Sequence, residues 1–196
     1  MFAGSLWMLV QVICLYLLAD VIGGVLHWAE DTLGRLETPV WGRLFVKPNI
    51  LHHECPAAML EASWLRSNGL TITIAAPVVG LVSVSYGMSW QLLVLGLFGA
   101  MNQQVHRFAH ARRSDLPRAV VLLQNLKVFQ DARHHWVHHR KPNNRYFCVM
   151  SPLMNPLLEK IGFWFLLERL LVPIFGAPRR PDLRRYHWYR SRAAWD

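Results

Sequence analysis

Residues 70–105 read LTITIAAPVVGLVSVSYGMSWQLLVLGLFGAMNQQV, with no charged side chain anywhere in the stretch. As a single helix it would be about 54 Å long at about 1.5 Å per residue, against a bilayer hydrocarbon layer of about 30 Å. It is too long for one crossing. It divides at Ser83-Val84-Ser85-Tyr86-Gly87-Met88-Ser89, a small, polar, turn-like patch. The expectation is a hairpin of two membrane helices, near 70–86 and 89–109. Pro77 and the internal glycines are tolerated there, because neighbouring helices and hydroxyl side chains satisfy the backbone groups they free.

On the N-terminal side, Phe2 to Leu26 is apolar apart from Gln11 and Asp20. It contains no Lys or Arg, so the positive n-region of a signal peptide is missing, and it reads as a retained transmembrane helix. All 21 Lys and Arg fall in 27–69 or 106–196. By the positive-inside rule both of those regions face the cytoplasm, and the N-terminus and the turn near Gly87 face out. On the C-terminal side, 116–129 and 156–175 (PLLEKIGFWFLLERLLVPIF) are apolar but interrupted by charge. An amphipathic helix at the bilayer surface suits 156–175, with a fourth crossing as the alternative. The tail from Arg179 onward is basic and rich in Trp and Tyr, as expected of a segment beside anionic headgroups.

The expected fold class is therefore all-α. We read an integral membrane helical bundle of about three to four transmembrane helices, with interfacial helices and a cytoplasmic His-rich cap. The 196 residues make a single domain, with a core at 19–175 and a basic tail at 176–196. Composition agrees, with 53% hydrophobic residues and a positive mean hydropathy of +0.19. The net charge of +9 suits an anionic membrane surface, and no nucleic-acid-binding module is present. Cys14, Cys55 and Cys148 form no CxxC pair, which argues against a disulfide framework or a thiolate zinc site.

Ten histidines are present, and nine fall in four clusters. These are His27-Trp-Ala-Glu-Asp31, His52-His53, His106-Arg-Phe-Ala-His110 and His134-His135-Trp-Val-His138-His139. On the expected topology all nine lie on one side of the membrane. Residues i and i+4 share a helix face, so His27/Asp31, His106/His110 and His134/His138 can each present two ligands to one point. A lone histidine such as His187 is usually structural, and a single HxxxH is a weak signal. Four clusters on one membrane face are a strong one. Imidazole suits iron, zinc, copper and nickel, and nine histidines with one aspartate exceed a four-coordinate zinc site. Two metals with nitrogen-rich shells would use the set, and iron is the natural choice for activating O2. His134 could instead orient a ligand. Asp20, in the first span, is either a polar contact near the site or a satisfied structural carboxylate. Asp20, Asn68, Asn102 and Arg107 are candidate substrate contacts. Arg112, Arg113 and Arg140 are candidate contacts to phosphate or an electron carrier, against the plain reading of positive-inside arginines.

At these residues the chain resembles the plasmanylethanolamine desaturase family, the Kua or CarF-like lipid desaturases. The matching stretches are Ala19-Asp20, His27-Trp28-Ala29-Glu30-Asp31-Thr32, His52-His53, Asn68-Gly69, Asn102-Gln103-Gln104-Val105-His106 and His110. They continue through His134-His135-x-x-His138-His139, Tyr146-Phe147-Cys148 and Pro156-Leu157-Leu158-Glu159-Lys160-Ile161-Gly162-Phe163-Trp164. The resemblance implies an O2-dependent desaturase with a di-iron centre. It would form the vinyl ether bond of plasmalogens in the 1-O-alkyl chain of an ether phospholipid. Electrons would come from a carrier such as cytochrome b5 or a ferredoxin. It carries the essential histidines onto His27, His52, His53, His106, His110, His135, His138 and His139, with His134 beside them, and the acidic partner onto Asp31. His27 and Asp31 are the expected catalytic pair. Cys55 and Leu51 depart from the acidic residues expected around the His pair, and His187 has no counterpart. These departures bear on the substrate, and a related branch resembles the chloroplast desaturase of phosphatidylglycerol, which places a trans bond near the carboxyl end of an acyl chain. Three rivals accompany this reading: a hydroxylase or acyl desaturase on the same core, a metal transporter or store, and a structural membrane protein. Transporters place ligands near the midplane, unlike the one-sided clusters here. A structural protein leaves the clusters unexplained.

Overall fold

The computed structural model describes residues 2–176, and every described regular element is helical. The basic tail and His187 lie outside the described residues. The longest element is α1 (Phe2–Thr32). It continues past the apolar run, so His27 and Asp31 are carried on the same helix that the apolar residues begin. A π-helical turn at Gly42–Val46 leads directly into α2 (Lys47–Glu54), where Pro48 occupies the first turn. Proline there sacrifices an N–H that would have had no intrahelical partner. The short α3 (Ala58–Glu61) follows.

The hairpin read from residues 70–105 is present as α4 (Trp64–Tyr86) and α5 (Trp90–His110). Ser63 Oγ accepts from the Arg66 amide and Ser89 Oγ accepts from the Leu92 amide, both at 3.2 Å, which starts each helix. Gly87, at φ +82, ends α4, a conformation that costs glycine little. Only Gly87, Met88 and Ser89 form the turn. Ser83 and Ser85 remain helical and donate to the carbonyls of Val79 (2.6 Å) and Leu81 (3.0 Å). Their hydroxyls are thereby satisfied without water.

Gly4–Thr32 and Trp64–Tyr86 are long and apolar enough to cross a membrane. Their apolar side chains point outward: Trp7 is 63% exposed and Val84 88%. A soluble core helix would bury such groups, and an outward apolar surface of this kind matches a lipid environment. Against the expected three spans, α5 falls short of the same criterion among the described residues, because its last nine positions, Asn102 to His110, are mostly polar. It packs against both α1 and α4, which buries that polar end.

Beyond the hairpin come α6 (Arg118–Asn125), α7 (Ala132–His139), α8 (Met154–Lys160) and α9 (Phe163–Phe175). The segment 156–175, expected as one helix, is broken. Gly162 adopts φ +66 between α8 and α9, the left-handed conformation that terminates helices. At about 1.5 Å per residue α9 is roughly 20 Å long, too short for a fourth crossing. Two buried clusters form the core. One joins Ala19, Val105, Val120, Phe129 and Met150. The other joins Trp28, Phe147, Cys148, Leu158 and Trp164. Both gather the C-terminal helices around the ends of α1 and α5, where the histidines lie.

Candidate metal centre

Four helices deliver the ligands. α1 contributes His27 and Asp31 from successive turns of one face, and α5 contributes His106 and His110 in the same way. α2 contributes the adjacent His52 and His53. α7 starts where Asp131 Oδ1 accepts from the His134 amide at 2.9 Å, and it presents His135, His138 and His139. The side chains separate into two groups, within each of which one donor atom per residue lies within 4.8 Å of every other. The first holds His27, Asp31, His53 and His138. The second holds His52, His106, His110, His135 and His139. The groups adjoin: the rings of His27 and His106 are 5.5 Å apart and those of His53 and His139 5.0 Å.

In the second group, four Nε2 atoms converge. His106 to His135 is 2.9 Å, His135 to His139 3.1 Å and His106 to His110 3.2 Å. Two nitrogens bound to one ion at about 2.1 Å are about 3.0 Å apart at a right angle and about 3.4 Å apart at the tetrahedral angle. The observed spacings are those of neighbouring ligands in a crowded shell. His52 is only 5% exposed, yet neither of its ring nitrogens has a hydrogen-bond partner. A buried polar group in that state costs free energy unless something supplies the missing partner, and a metal ion would.

In the first group, Asp31 is the hub. Its Oδ1 lies 2.8 Å from His53 Nε2, and its Oδ2 lies 3.3 Å from His138 Nε2 and 3.8 Å from His27 Nε2. The Oδ2 contacts satisfy no hydrogen bond, leaving acceptor lone pairs aimed at a common point. The far sides of two rings are held by backbone. His27 Nδ1 donates to the Phe147 carbonyl at 3.1 Å and His138 Nδ1 to the Arg145 carbonyl at 2.8 Å. A carbonyl only accepts, so each ring carries its proton on Nδ1 and keeps Nε2 free for a metal. Tyr146, between those carbonyls, is held at φ +61, a strained conformation for a bulky side chain.

Charge state agrees with ligand chemistry. Burial, reinforced by surrounding imidazoles, holds His52, His135 and His139 well below the ordinary histidine range. They are neutral, the form that binds metal.

The remaining candidates lie elsewhere. His134 belongs to neither group. Its Nε2 is 3.3 Å from the Asn155 amide, its ring lies against Tyr146, and it faces a surface pocket of about 430 Å³. Asp20 is fully buried and accepts from the amides of Met150 (2.8 Å) and Ser151 (2.9 Å) and from the Ser151 hydroxyl (2.8 Å). Of its two readings, the structural carboxylate is the one these bonds describe. Asn68 donates to Trp64 O and Gln104 Oε1, tying α4 to α5. Asn102 is buried where α5 meets Gly23 of α1. Arg107 donates to the carbonyls of Ala62 and Leu60 and to the Ser67 hydroxyl, anchoring the start of α4.

Four supporting groups escaped the sequence reading: the Phe147 and Arg145 carbonyls, Gln130 and Asn155. Gln130, fully buried, sits 3.5 Å from His135 Nδ1. Asn155 exchanges two bonds with the Cys148 backbone, at 2.9 and 2.8 Å. Main-chain carbonyls carry no side-chain signal. The two amides lie outside any histidine spacing.

The fold and site define a helical protein with membrane-spanning character and two adjoining histidine-rich groups able to hold metal ions. The lipid desaturase domain family matches residues 16–182, and the chain belongs to that family. Plasmanylethanolamine desaturase 1 of Mus musculus is 31% identical over 183 residues, covering 86% of this chain and 66% of that one. Plasmanylethanolamine desaturase of Myxococcus xanthus is 33% identical over 193 residues, covering 93% and 67%. A chloroplastic fatty acid desaturase 4 of Arabidopsis thaliana is 33% identical over 159 residues, covering 78% and 48%. The chain thus spans about two thirds of the length of the first two relatives. No solved structure matches it.

Proposed function

We propose that this chain is an O2-dependent lipid desaturase that holds one iron ion in each ligand group and forms the vinyl ether bond of 1-O-alkyl phospholipids. The observation that carries the reading is the pair of adjoining ligand groups, buried at the ends of apolar helices, in a chain whose relatives include plasmanylethanolamine desaturases. Three helices, α1, α4 and α5, cross the bilayer. The histidine end faces the cytoplasm, consistent with the absence of Lys and Arg from 1–26 and 70–105.

Iron bound there would supply O2 activation and the removal of hydrogen from an unactivated chain, chemistry that side chains lack. The protein supplies the rest. His27, Asp31, His53 and His138 hold one ion, and His52, His106, His110, His135 and His139 the other. The carbonyls of Phe147 and Arg145 fix ring orientation. Burial of the ligands limits water. Because the ligands sit at helix ends, a lipid with its headgroup at the interface presents the carbons next to that headgroup. Two adjacent carbons lose two hydrogens, and O2, two electrons and two further protons leave as two waters. The electrons come from an external carrier of the cytochrome b5 or ferredoxin kind.

The similarity to a fatty acid desaturase favours one second reading, desaturation of an acyl chain near its carboxyl end. The test is lipid analysis of cells lacking plasmalogens, expressing this chain and fed a 1-O-alkyl glycerol. An acid-labile aldehyde, absent with His138→Ala, supports vinyl ether formation. A new acyl double bond moves the assignment to the second reading. No lipid change from iron-loaded, reduced protein refutes both.

A further inference from the structure

α7 has a second face that the metal centre does not use. At about 100° per residue, Arg133, Trp136 and the C-cap residue Arg140 fall within about 60° of one another, on the side turned away from His135 and His138. All three are exposed. Trp136, 53% exposed, lies nearly parallel to His139, with ring centroids 5.6 Å apart and an interplanar angle of 23°. His139 belongs to the five-histidine group, and its Nε2 is 3.1 Å from His135 Nε2. One large aromatic ring therefore touches solvent on one side and a ligand histidine on the other.

The charge around it is one-sided. Arg133 and Arg140 have no ion-pair partner among the described residues. The nearby carboxylates are engaged: Asp131 caps α7 and pairs with Lys127, Glu54 pairs with Lys141, and Glu159 pairs with Arg145.

We propose that the Arg133–Trp136–Arg140 face of α7 is the docking surface for an acidic one-electron carrier protein, with Trp136 as the point of electron entry. The proposal rests on the desaturase reading, which requires two electrons per double bond from outside the chain. Each encounter moves one electron from a reduced carrier, which leaves oxidised, to the oxidised centre, so two encounters serve one turnover. Unpaired cations attract an acidic partner and speed its encounter. Electron transfer slows steeply with distance, and the π-system stacked on His139 shortens the gap from the surface to the ligand shell.

The test uses the full, iron-loaded chain in lipid nanodiscs. Its probes are the soluble haem domain of cytochrome b5 and, in parallel, a plant-type [2Fe–2S] ferredoxin, both acidic. The wild type should bind one of them with an affinity that falls as salt rises. Arg133→Glu/Arg140→Glu should weaken that binding by about tenfold or more and flatten its salt dependence, while the single turnover that follows anaerobic reduction with stoichiometric dithionite and then addition of O2 stays unchanged. Trp136→Leu should slow anaerobic oxidation of the bound, reduced carrier by at least about tenfold at unchanged Kd, and Trp136→Phe should restore most of the rate. Equal binding by wild type and the double variant, or binding of neither probe, overturns the docking face. If the double variant loses affinity for anionic vesicles but keeps the carrier, the face contacts membrane, and the proposal fails. Absence of product from wild type that is reduced anaerobically and then given O2 counts against the desaturase reading instead, and the binding data still judge the face on their own.

Discussion

Removing the Asp20 carboxylate should release the segment that orients His27. Asp20 sits in α1, and its two oxygens receive three hydrogen bonds of 2.8–2.9 Å from Met150 and Ser151. The same segment carries Phe147, whose carbonyl holds His27 Nδ1. A hydrogen bond to a charged group is worth about 1.5–3 kcal/mol. Three of them are partly offset by the desolvation cost of the carboxylate itself, so Asp20→Ala should cost about 3–5 kcal/mol. Cys148 provides the local reporter, because it is completely buried beside Asp20's partners while Cys55 is exposed. If opening of 147–151 limits access to Cys148, a loss of about 3 kcal/mol raises its alkylation rate by roughly a hundredfold. The assay is iodoacetamide labelling in detergent, read residue by residue by mass spectrometry, with Cys55 as internal standard and thermal unfolding in parallel. Asp20→Ala should accelerate Cys148 relative to Cys55, lower Tm and reduce metal content. An unchanged labelling ratio together with an unchanged Tm would show that these bonds do not hold the segment down.

Further outcomes follow from other contacts. A Cβ at position 24 would lie 2.7 Å from Cys148 Sγ and 3.2 Å from its amide nitrogen, so Gly24→Ala should destabilise by about 1–3 kcal/mol. In a free helix the same change would stabilise by about 1 kcal/mol, so the sign of the change in thermal unfolding decides. Asp31→Asn should lower activity by about a hundredfold or more and release metal from its own group first, measured by product formation and metal analysis. His134→Ala should retain metal and most activity while His135→Ala loses both, because only His135 belongs to a ligand group. Burial pushes the Cys148 thiol well above its ordinary value of 9.0. Its thiolate therefore forms only at higher pH, and its labelling rate should still be climbing as the pH passes 9.0.

Periodicity and charge made the helices legible. The α4–α5 turn lies inside the small, polar patch at 83–89, because only glycine and its neighbours could turn a chain that otherwise carried apolar residues without interruption. The break at Gly162 was hidden, since Ile161-Gly162-Phe163-Trp164 keeps a continuous apolar character and nothing local shows that glycine has turned left-handed. The i, i+4 spacings of His27/Asp31 and His106/His110 were readable because a helix enforces them. The division of ligands was not. In the sequence His52 and His53 are equivalent, yet adjacent helical residues point about 100° apart, and they enter different groups. His134 and His138 share the favoured i, i+4 spacing, but α7 is seated by His135, His138 and His139, which leaves His134 facing Asn155 and Tyr146.

Arg107 and Asp20 show the same boundary. Each is an ionisable group at a membrane helix, which sequence marks as functional because an unpaired charge there is costly. Tertiary structure supplies the partners that remove the cost: Ala62, Leu60 and Ser67 for Arg107, and Met150 and Ser151 for Asp20. The amino-acid order by itself determined that helices form, that two of them are apolar enough to cross a membrane, and that histidines gather at one end. Those properties depend on neighbours three or four residues away and on transfer from water. The packing of α1, α2, α5 and α7 decided which nitrogens share a point, which carbonyls orient them, and which charges are neutralised. Those outcomes depend on contacts between residues up to 131 positions apart, whose geometry exists only once the chain has folded.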